Sequence, residues 1–287
     1  MKTRQIGSVA VSAIGLGGMP MSIEGRPDRA RSIATIHAAL DAGVTLIDTA
    51  FGYRLRVDAE PHNELLIAEA LRTWSGDRSD VLVATKGGHY RHPYEPTGAW
   101  GLAGHPQWLK NCAQASAQAL GVEAIGLYYY HRPDPMVNYA DSIGALADLL
   151  AAGVIRKAGV SNADASQIAL AYSILGEDLV AVQNQFSPAF RSTESELELC
   201  GDLGLAFLPW SPLGGIGGAG ALGSRFAAFG EVARARGVSP QQVALAWELA
   251  KGEHVIPIPG SSRPETILDS VAAVDLVLTP EELALLN

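Results

Sequence analysis

The chain has 287 residues, of which 48% are hydrophobic and 18% charged, and its formal net charge at pH 7 is −9. This composition is typical of a globular protein with a sizeable core, and the length allows one large barrel or two smaller domains. Binding to nucleic acids or to anionic membranes requires a basic protein surface, which an acidic chain lacks. We therefore expect small-molecule partners, with no nucleic acid and no membrane.

The two cysteines, Cys112 and Cys200, lie in helix-like segments without CxxC spacing, so neither a disulfide framework nor a metal site is predicted. Residues 1–11 lack the charged-then-apolar order of a signal peptide, and no apolar run has the length of a membrane span. These features predict a cytoplasmic protein. The sequence leaves the oligomeric state open, and a monomer is compatible with it.

Short apolar runs rich in β-branched residues alternate with segments of helical periodicity along the whole chain. The alternation predicts an α/β fold, a (β/α)8 TIM barrel that forms a single domain over residues 1–287, with a doubly wound open sheet as the alternative. The eight predicted strands are Ala13–Gly17, Val44–Asp48, Val81–Lys86, Gly126–His131, Lys157–Val160, Ala181–Gln185, Leu205–Pro209 and Val255–Pro259. The predicted helices are Arg29–Ala42, Asn63–Leu71, Gln107–Leu120, Ala140–Ala152, Asp164–Leu175, Glu194–Leu203, Pro240–Ala250 and Pro264–Ala273.

Three polar residues, Asp48, Lys86 and His131, stand at the carboxyl ends of predicted strands, and Tyr53 follows in the loop after Asp48. In a TIM barrel the catalytic groups come from these strand ends and loops. Side chains alternate along a strand, so each polar residue shares a face with the apolar residue two positions earlier. If those faces point inward, the polar groups meet above an apolar interior.

A tyrosine beside a lysine suits proton transfer. A phenol loses its proton only near pH ~10, and a neighbouring ammonium favours the phenolate. We therefore expect Lys86 to lower the pKa of Tyr53, which makes Tyr53 the candidate general acid.

In these segments the chain resembles the aldo-keto reductase superfamily. The resemblance covers Asp-Thr-Ala-Phe-Gly-Tyr ending at Tyr53, Ala-Thr-Lys-Gly-Gly around Lys86, and Tyr-Tyr-Tyr-His ending at His131. It implies reduction of an aldehyde or ketone carbonyl by NADPH, with NADP+ as the oxidised form, in a reversible reaction. Tyr53 would protonate the oxygen, Lys86 would tune Tyr53, Asp48 would hold Lys86 charged, and His131 would orient the carbonyl.

The same resemblance implies a set of cofactor-binding residues, grouped by the part of NADPH that each would contact. For the nicotinamide these are Ser161, Asn162, Gln185 and the stacking Trp210; for the pyrophosphate Ser211, Leu213 and Gly215; for the adenosine phosphate Gly260, Ser261, Ser262 and Arg263. Arg263 would clamp the 2′-phosphate, which favours NADPH over NADH. Two positions depart from the family: Asp269-Ser270 replaces a frequent asparagine, and Gly260 replaces a lysine found in other branches.

The long loop 87–106 is rich in aromatic residues and would shape the substrate site. Its candidate substrate residues are Tyr90, Tyr94 and Trp100, which favour a partly apolar substrate.

Two other functions stay open from the sequence. One keeps the barrel and cofactor but assigns them to a sensor-like protein with slow turnover. The other makes Lys86 a Schiff-base nucleophile of an aldolase-like barrel, although a carboxylate at Asp48 would oppose this by keeping the lysine protonated.

Overall fold

A curved parallel sheet surrounded by helices organises the chain in the computed structural model, which describes residues 1–55, 60–92 and 99–287. The strands in this part of the chain are β1 (Thr3–Ile6), β2 (Val9–Ser12), β3 (Leu16–Gly17), β4 (Leu46–Asp48), β5 (Leu82–Gly87), β6 (His89–Arg91), β7 (Trp100–Leu102), β8 (Leu127–Tyr130), β9 (Ala158–Ser161), β10 (Leu179–Gln183) and β11 (Ala206–Phe207). The helices are α1 (Arg29–Asp41), α2 (His62–Thr73), α3 (Pro106–Leu120), α4 (Tyr139–Ala151), α5 (Ala165–Leu175), α6 (Glu194–Leu203), α7 (Leu222–Arg225), α8 (Ala227–Arg236), α9 (Pro240–Leu249), α10 (Pro264–Ala272) and α11 (Pro280–Leu286).

Seven of these strands form the sheet, in the order β3-β4-β5-β8-β9-β10-β11, and every pairing in it is parallel. Neighbours in the sheet are neighbours in the sequence apart from the β6–β7 hairpin, as strands joined by helical crossovers should be. Each of the seven lies within a predicted strand or overlaps one. The eight predicted helices are all present, with ends that differ by at most two residues.

The eighth predicted strand, Val255–Pro259, closes the barrel without forming a regular strand, and we call residues 255–260 the closing segment. The N–H groups of Gly15 and Gly17 donate to the carbonyls of Pro257 and Pro259, at 2.9 and 3.0 Å. On its other side the N–H groups of Ile256 and Ile258 donate to the carbonyls of Phe207 in β11 and of Pro209 after it, at 2.8 and 3.3 Å. Because proline has no N–H, the two prolines accept hydrogen bonds from the β3 side but donate none to it.

Side-chain alternation separates two apolar layers, as predicted from the strand periodicity. The barrel interior is filled by one set of buried side chains, which includes Leu46, Ala84, Leu127, Tyr129 and Ile256. The intervening residues face outward against the helices, and Tyr128 and Tyr130 belong to this larger outer core. The inward face of β4, β5 and β8 is therefore the face that ends in the polar residues singled out in the sequence.

The eight predicted strands and eight predicted helices do not include the β1–β2 hairpin at the start of the chain or α11 at its end. Two further regions lie outside the predicted elements. A helical stretch formed by α7 and α8 follows the glycine-rich loop after β11, and an antiparallel hairpin of β6 and β7 follows β5. In the ranges that the structure describes, no helix is long and apolar enough to span a membrane.

The β1–β2 hairpin packs across the amino-terminal end of the barrel, where Ile6 and Val11 complete the interior core. Arg4 fastens this hairpin to the end of α9. Its guanidinium donates to the carbonyls of Leu249 and Gly252, at 2.8 and 2.7 Å, and also to that of Val255. One side chain thus satisfies carbonyls that a helix end leaves without partners.

We expect the substitution Arg4→Met to lower the free energy of unfolding by about 2–4 kcal/mol, because several partly buried carbonyls lose a charged donor at once. Urea denaturation measures this value. Arg31→Met is the control, since Arg31 is exposed on α1 and should change stability by less than about 0.5 kcal/mol. Equal effects of the two substitutions would show that Arg4 does not fasten the hairpin.

Candidate active site

A cavity of about 800 Å³ opens at the carboxyl ends of the barrel strands. Its volume lies within the range of ~300–1,000 Å³ that is usual for small-molecule and cofactor sites. Asp48, Tyr53 and His131 line its polar floor. Lys86 lies directly beneath and is fully buried.

The Lys86 ammonium is the centre of the polar network under the cavity. Its Nζ donates to Asp48 Oδ1 at 2.5 Å, to the Thr49 carbonyl at 2.7 Å and to the Tyr53 hydroxyl at 3.3 Å. The second oxygen of Asp48 accepts a hydrogen bond of 2.8 Å from Gln183 Nε2. The structure therefore brings Asp48, Tyr53 and Lys86 into one hydrogen-bonded chain, reaching across the barrel to β10.

Backbone contacts fix the loop that carries Tyr53. The N–H of Phe51 donates to the Lys86 carbonyl at 3.0 Å. A Cβ at Gly52 would lie 2.5 Å from the His89 carbonyl, and one at Gly87 would lie 1.9 Å from the Tyr128 hydroxyl. Both positions therefore require glycine, because a side chain at Gly52 would push the loop away from β6 and one at Gly87 would push α3 away from β5.

The shifts in the pKa values of Lys86 and Tyr53 define the protonation of these two residues in the resting state. Burial by itself would lower the pKa of Lys86, but the Asp48 carboxylate beside it holds that pKa above its ordinary value. Burial raises the pKa of Tyr53, and the opposing effect of Lys86 does not overcome it. The expected net lowering of the Tyr53 pKa is therefore wrong for this resting state, because desolvation of the phenolate outweighs the ammonium.

His131 is neutral in this site. Burial, followed by the positive charges of Lys86 and Arg132 and the neighbouring His89, keeps its pKa well below the ordinary value. Its Nδ1 is buried and has no hydrogen-bond partner within the described residues. The ring lies edge-on to Tyr53, with 5.7 Å between the ring centroids. A neutral imidazole at this position has one N–H with which to orient a bound oxygen.

A stack of side chains from the β6–β7 hairpin supports His131 and Tyr53 from one side. The Arg91 guanidinium lies 4.5 Å from the centroid of the Trp100 ring, which stacks on His89 at 4.6 Å. His89 then meets His131 edge-on at 4.9 Å. Arg91 also forms an ion pair with Glu24 in the loop after β3, so the hairpin is joined to both sides of the cavity mouth.

The residues predicted to bind nicotinamide lie together, with one exception. Ser161 and Asn162 line the cavity, and Asn162 takes a left-handed conformation with φ of 58°. Its amide donates to the His131 carbonyl at 3.0 Å. Gln185 does not line the cavity, whereas Gln183 does. β10 ends at Gln183, so this residue lies at the cavity and Gln185 lies two positions beyond the strand. A contact between Gln185 and nicotinamide stays a prediction.

Trp210, Ser211, Leu213 and Gly215 all line the cavity, on the loop that follows β11. The indole Nε1 of Trp210 is buried without a hydrogen-bond partner in the described structure. Ser211 has φ of 54°, and three glycines of this loop also have positive φ. The loop therefore folds sharply over the mouth and presents backbone groups to the cavity.

The predicted adenosine-phosphate residues extend from the same rim. Gly260 lines the cavity, whereas Ser261, Ser262 and Arg263 lie beyond it. Arg263 is exposed and occupies the N-cap position of α10 without making a side-chain cap. Asp269, at one departure from the family pattern, accepts hydrogen bonds from Ser239 and Gln242, at 2.7 and 2.6 Å.

The three candidate substrate residues have different outcomes. Trp100 lines the cavity. Tyr90 packs edge-on against Trp108 of α3 and does not line it. Tyr94 lies outside the described residues.

Sequence reasoning missed Asn63, a fully buried residue of α2 that joins two loops of the site. Its amide donates to the Gly18 carbonyl at 2.9 Å and to Ser22 Oγ at 2.7 Å, and its oxygen accepts from Thr49 Oγ1 at 2.6 Å. Arg132 was also missed, although it directly follows His131 and lines the cavity. In the parts of the chain described, no three His, Cys, Asp or Glu side chains come together as a metal site.

Histidines with lowered pKa values make the free energy of unfolding depend on pH. Burial, and then the charge of Arg132, lowers the pKa of His89 to about 4. An unfolded histidine titrates near ~6.5, so on acidification the unfolded chain takes up a proton that the folded chain does not, and stability falls. Glu64 has the opposite effect, because burial raises its pKa to about 7, so the folded state holds that proton.

A comparison with His89→Asn isolates the histidine from Glu64. Between about pH 7 and about pH 5 we expect the wild type to lose about 1–2 kcal/mol more stability than the variant. Urea denaturation at several pH values measures the difference. Parallel pH curves for the two proteins would show that His89 is not held neutral by the fold.

Comparison with known proteins places this geometry in a family. The model of the aldo/keto reductase family matches residues 13–287. An uncharacterized oxidoreductase of Schizosaccharomyces pombe is 32% identical over 290 aligned residues, covering 99% of this chain and 89% of the relative.

Solved structures agree. A thermostable aldo-keto reductase in complex with the inhibitor epalrestat has a TM-score of 0.83 at 27% identity, covering 100% of this chain and 98% of that one. An aldo/keto reductase from Klebsiella pneumoniae in complex with NADP and acetate has a TM-score of 0.82 at 28% identity, covering 99% of this chain and 94% of that one. The fold is thus the (β/α)8 barrel predicted from the sequence, and the chain belongs to the aldo/keto reductase family of oxidoreductases.

Proposed function

We propose that residues 1–287 act as one catalytic domain, a cytoplasmic NADPH-dependent reductase that converts an aldehyde or ketone to an alcohol, reversibly, with Tyr53 as general acid. The observation that carries this proposal is the Tyr53 hydroxyl at the cavity floor, 3.3 Å from a Lys86 ammonium that is itself paired with Asp48. A buried cation next to a phenol stabilises the phenolate, which supports a role for Tyr53 as a proton donor.

The cavity fits a nicotinamide nucleotide. Trp210 lines the cavity and offers its ring for stacking, and Asn162, directly after β9, and Gln183, at the end of the neighbouring strand β10, line the same cavity. The indole Nε1 of Trp210 and Nδ1 of His131 are buried polar atoms without partners in the described structure, as is common where a ligand completes the site. The relative from Klebsiella pneumoniae, crystallised with NADP, supports this cofactor.

When bound, the nicotinamide supplies a hydride to the carbonyl carbon, and the protein supplies the proton to the oxygen, so the product is an alcohol. Burial keeps the proton on Tyr53 in the resting state. As the proton leaves, the phenolate is stabilised by Lys86. Two unit charges at 3.3 Å attract by about 5 kcal/mol at an effective dielectric constant of about 20.

His131 is a positioning donor in this proposal and Tyr53 is the acid. With its pKa well below the ordinary value, His131 carries no extra proton to give near neutral pH. Its single N–H can hold the carbonyl oxygen beside the Tyr53 hydroxyl. The hydrogen bond from Gln183 to Asp48 keeps the carboxylate aimed at Lys86, and Lys86 aimed at Tyr53.

The same geometry opposes the aldolase-like alternative. A Schiff-base lysine must be unprotonated to attack a carbonyl. Lys86 has a raised pKa and donates hydrogen bonds to three oxygens, so its nitrogen lone pair is not available. A sensor with slow turnover would have the same site as a reductase, and only a rate measurement separates the two.

We expect Tyr53→Phe to lower kcat for aldehyde reduction by at least about 100-fold, because general acid catalysis contributes about 10²–10⁴-fold. NADPH binding should be retained, since the hydroxyl acts in the chemical step. The measurement is NADPH oxidation with a panel of aldehydes and ketones, together with NADPH binding by fluorescence titration.

Tyr139→Phe is the matched control for this variant. It removes one hydroxyl that is buried on α4 without a hydrogen-bond partner in the described residues, away from the cavity lining. We expect wild-type turnover from it. Turnover by Tyr53→Phe within about threefold of the wild type would reject Tyr53 as the acid, and no turnover of any carbonyl by the wild type would reject the reductase.

Arg263 provides a test of cofactor preference. It stands at the start of α10, where the free N–H groups and the helix dipole favour an anion such as the 2′-phosphate. We expect Arg263→Ala to raise the Kd of NADPH by at least about tenfold, as loss of a charge-assisted hydrogen bond does, and to leave the Kd of NADH nearly unchanged. The Kd of NADPH for Arg263→Lys should lie between the values for the wild type and for Arg263→Ala. Equal changes for both nucleotides would place the 2′-phosphate elsewhere.

A further inference from the structure

Arg132 is a cation in the cavity that the reaction proposed above does not use. It follows β8 directly after His131, is partly buried, and lines the cavity. Its guanidinium lies 5.6 Å from the centroid of the Trp210 ring. Across the described ranges, neither an ion pair nor a hydrogen bond joins Arg132 to another side chain, and its guanidinium lies over this ring.

The charges of the cavity lining do not cancel. Asp48 is the one carboxylate in the described lining, and its two oxygens are already bonded to Lys86 and Gln183. A guanidinium stays protonated in proteins, so Arg132 keeps a full positive charge inside a partly desolvated cleft. Taking an unpaired cation out of water is costly unless an anion joins it. The molecule itself offers no such anion within the described residues.

We propose that Arg132 binds an anionic oxygen group of the substrate, a carboxylate or a phosphate, so that the preferred substrates are carbonyl compounds carrying such a group. This inference rests on the reductase function proposed above. The planar guanidinium matches either anion with two parallel N–H donors. A cation next to His131 would hold the anion on the β8 side of the cavity while the carbonyl reaches Tyr53.

The other residues that line the cavity determine which spacer can connect the carbonyl and the anion of such a substrate. Met19, Ile23, Trp100 and Leu102 give the cavity an apolar lining. A substrate with a flat or hydrocarbon spacer between carbonyl and anion would fill this space. Arylaldehydes with one anionic substituent are therefore suitable probes.

The experiment compares each anionic aldehyde with its neutral counterpart. The probes are meta- and para-formylbenzoate, their methyl esters, and para-formylphenyl phosphate, each assayed with NADPH. In the wild type we expect kcat/KM for at least one formylbenzoate or for the phosphate to exceed that of the matched ester or of benzaldehyde by about tenfold or more, mainly through a lower KM. The carboxylate and phosphate arms identify which anion the arginine prefers.

Arg132→Gln should abolish this preference, and Arg132→Lys should keep part of it. The quantity compared between variants is the ratio of kcat/KM for the formylbenzoate to kcat/KM for its methyl ester. This ratio cancels the different intrinsic reactivity of the two aldehydes. Arg234→Gln is the control for the loss of one positive charge, because Arg234 is exposed on α8 and does not line the cavity. It should keep the wild-type ratio.

Several outcomes overturn the inference. Equal ratios in the wild type and Arg132→Gln would show that no substrate anion meets the arginine. A higher Kd for NADPH in Arg132→Gln, with an unchanged ratio, would assign the arginine to the cofactor. If the wild type reduces none of the aldehydes, the reductase proposal fails separately. Calorimetric binding of para-formylbenzoate and its ester to wild type and Arg132→Gln still decides the inference, because binding needs no turnover.

Discussion

The ion pair between Lys86 and Asp48 is the interaction on which the rest of this structure depends. Both side chains are buried beneath the barrel mouth, joined by a hydrogen bond of 2.5 Å. Such a pair seldom adds stability relative to apolar residues of similar size, because desolvation of two charges offsets their attraction. Removal of one partner, however, costs about 3–5 kcal/mol in comparable pairs. The pair is therefore better explained by its position under Tyr53 than by stability.

The barrel is arranged so that this pair can stay dry. The apolar interior below it is closed at one end by the β1–β2 hairpin and laterally by the closing segment, whose prolines accept backbone hydrogen bonds without donating toward β3. Above the pair, the loop of Tyr53 and the β6–β7 hairpin are in contact through Gly52. With water excluded, the electrostatic effect of Lys86 on a forming phenolate is greater than it would be at a surface.

Electrostatics divides the cavity into two regions with different properties. At the floor, the charges of Asp48 and Lys86 offset each other, and the histidines His89 and His131 stay neutral because burial and nearby cations lower their pKa values. On the β8 side, no carboxylate in the described part of the chain pairs with Arg132. The first region suits transfer of one proton to an uncharged carbonyl, and the second suits recognition of an anion. Under the two proposals made above, the preferred substrates are molecules with two different polar ends.

The sequence by itself determined the alternation of the barrel strands with the helices that join them, and the inward face of β4, β5 and β8, because both depend on local periodicity. It also brought Asp48, Lys86 and His131 to one rim, since parallel strands of a barrel end on the same side. Other features depended on distances between segments remote in the chain. Only the tertiary structure selected Gln183 over Gln185, because the depth of β10 in the barrel decides which side chain reaches Asp48. The net direction of the Tyr53 pKa likewise required the degree of burial, which a motif does not contain.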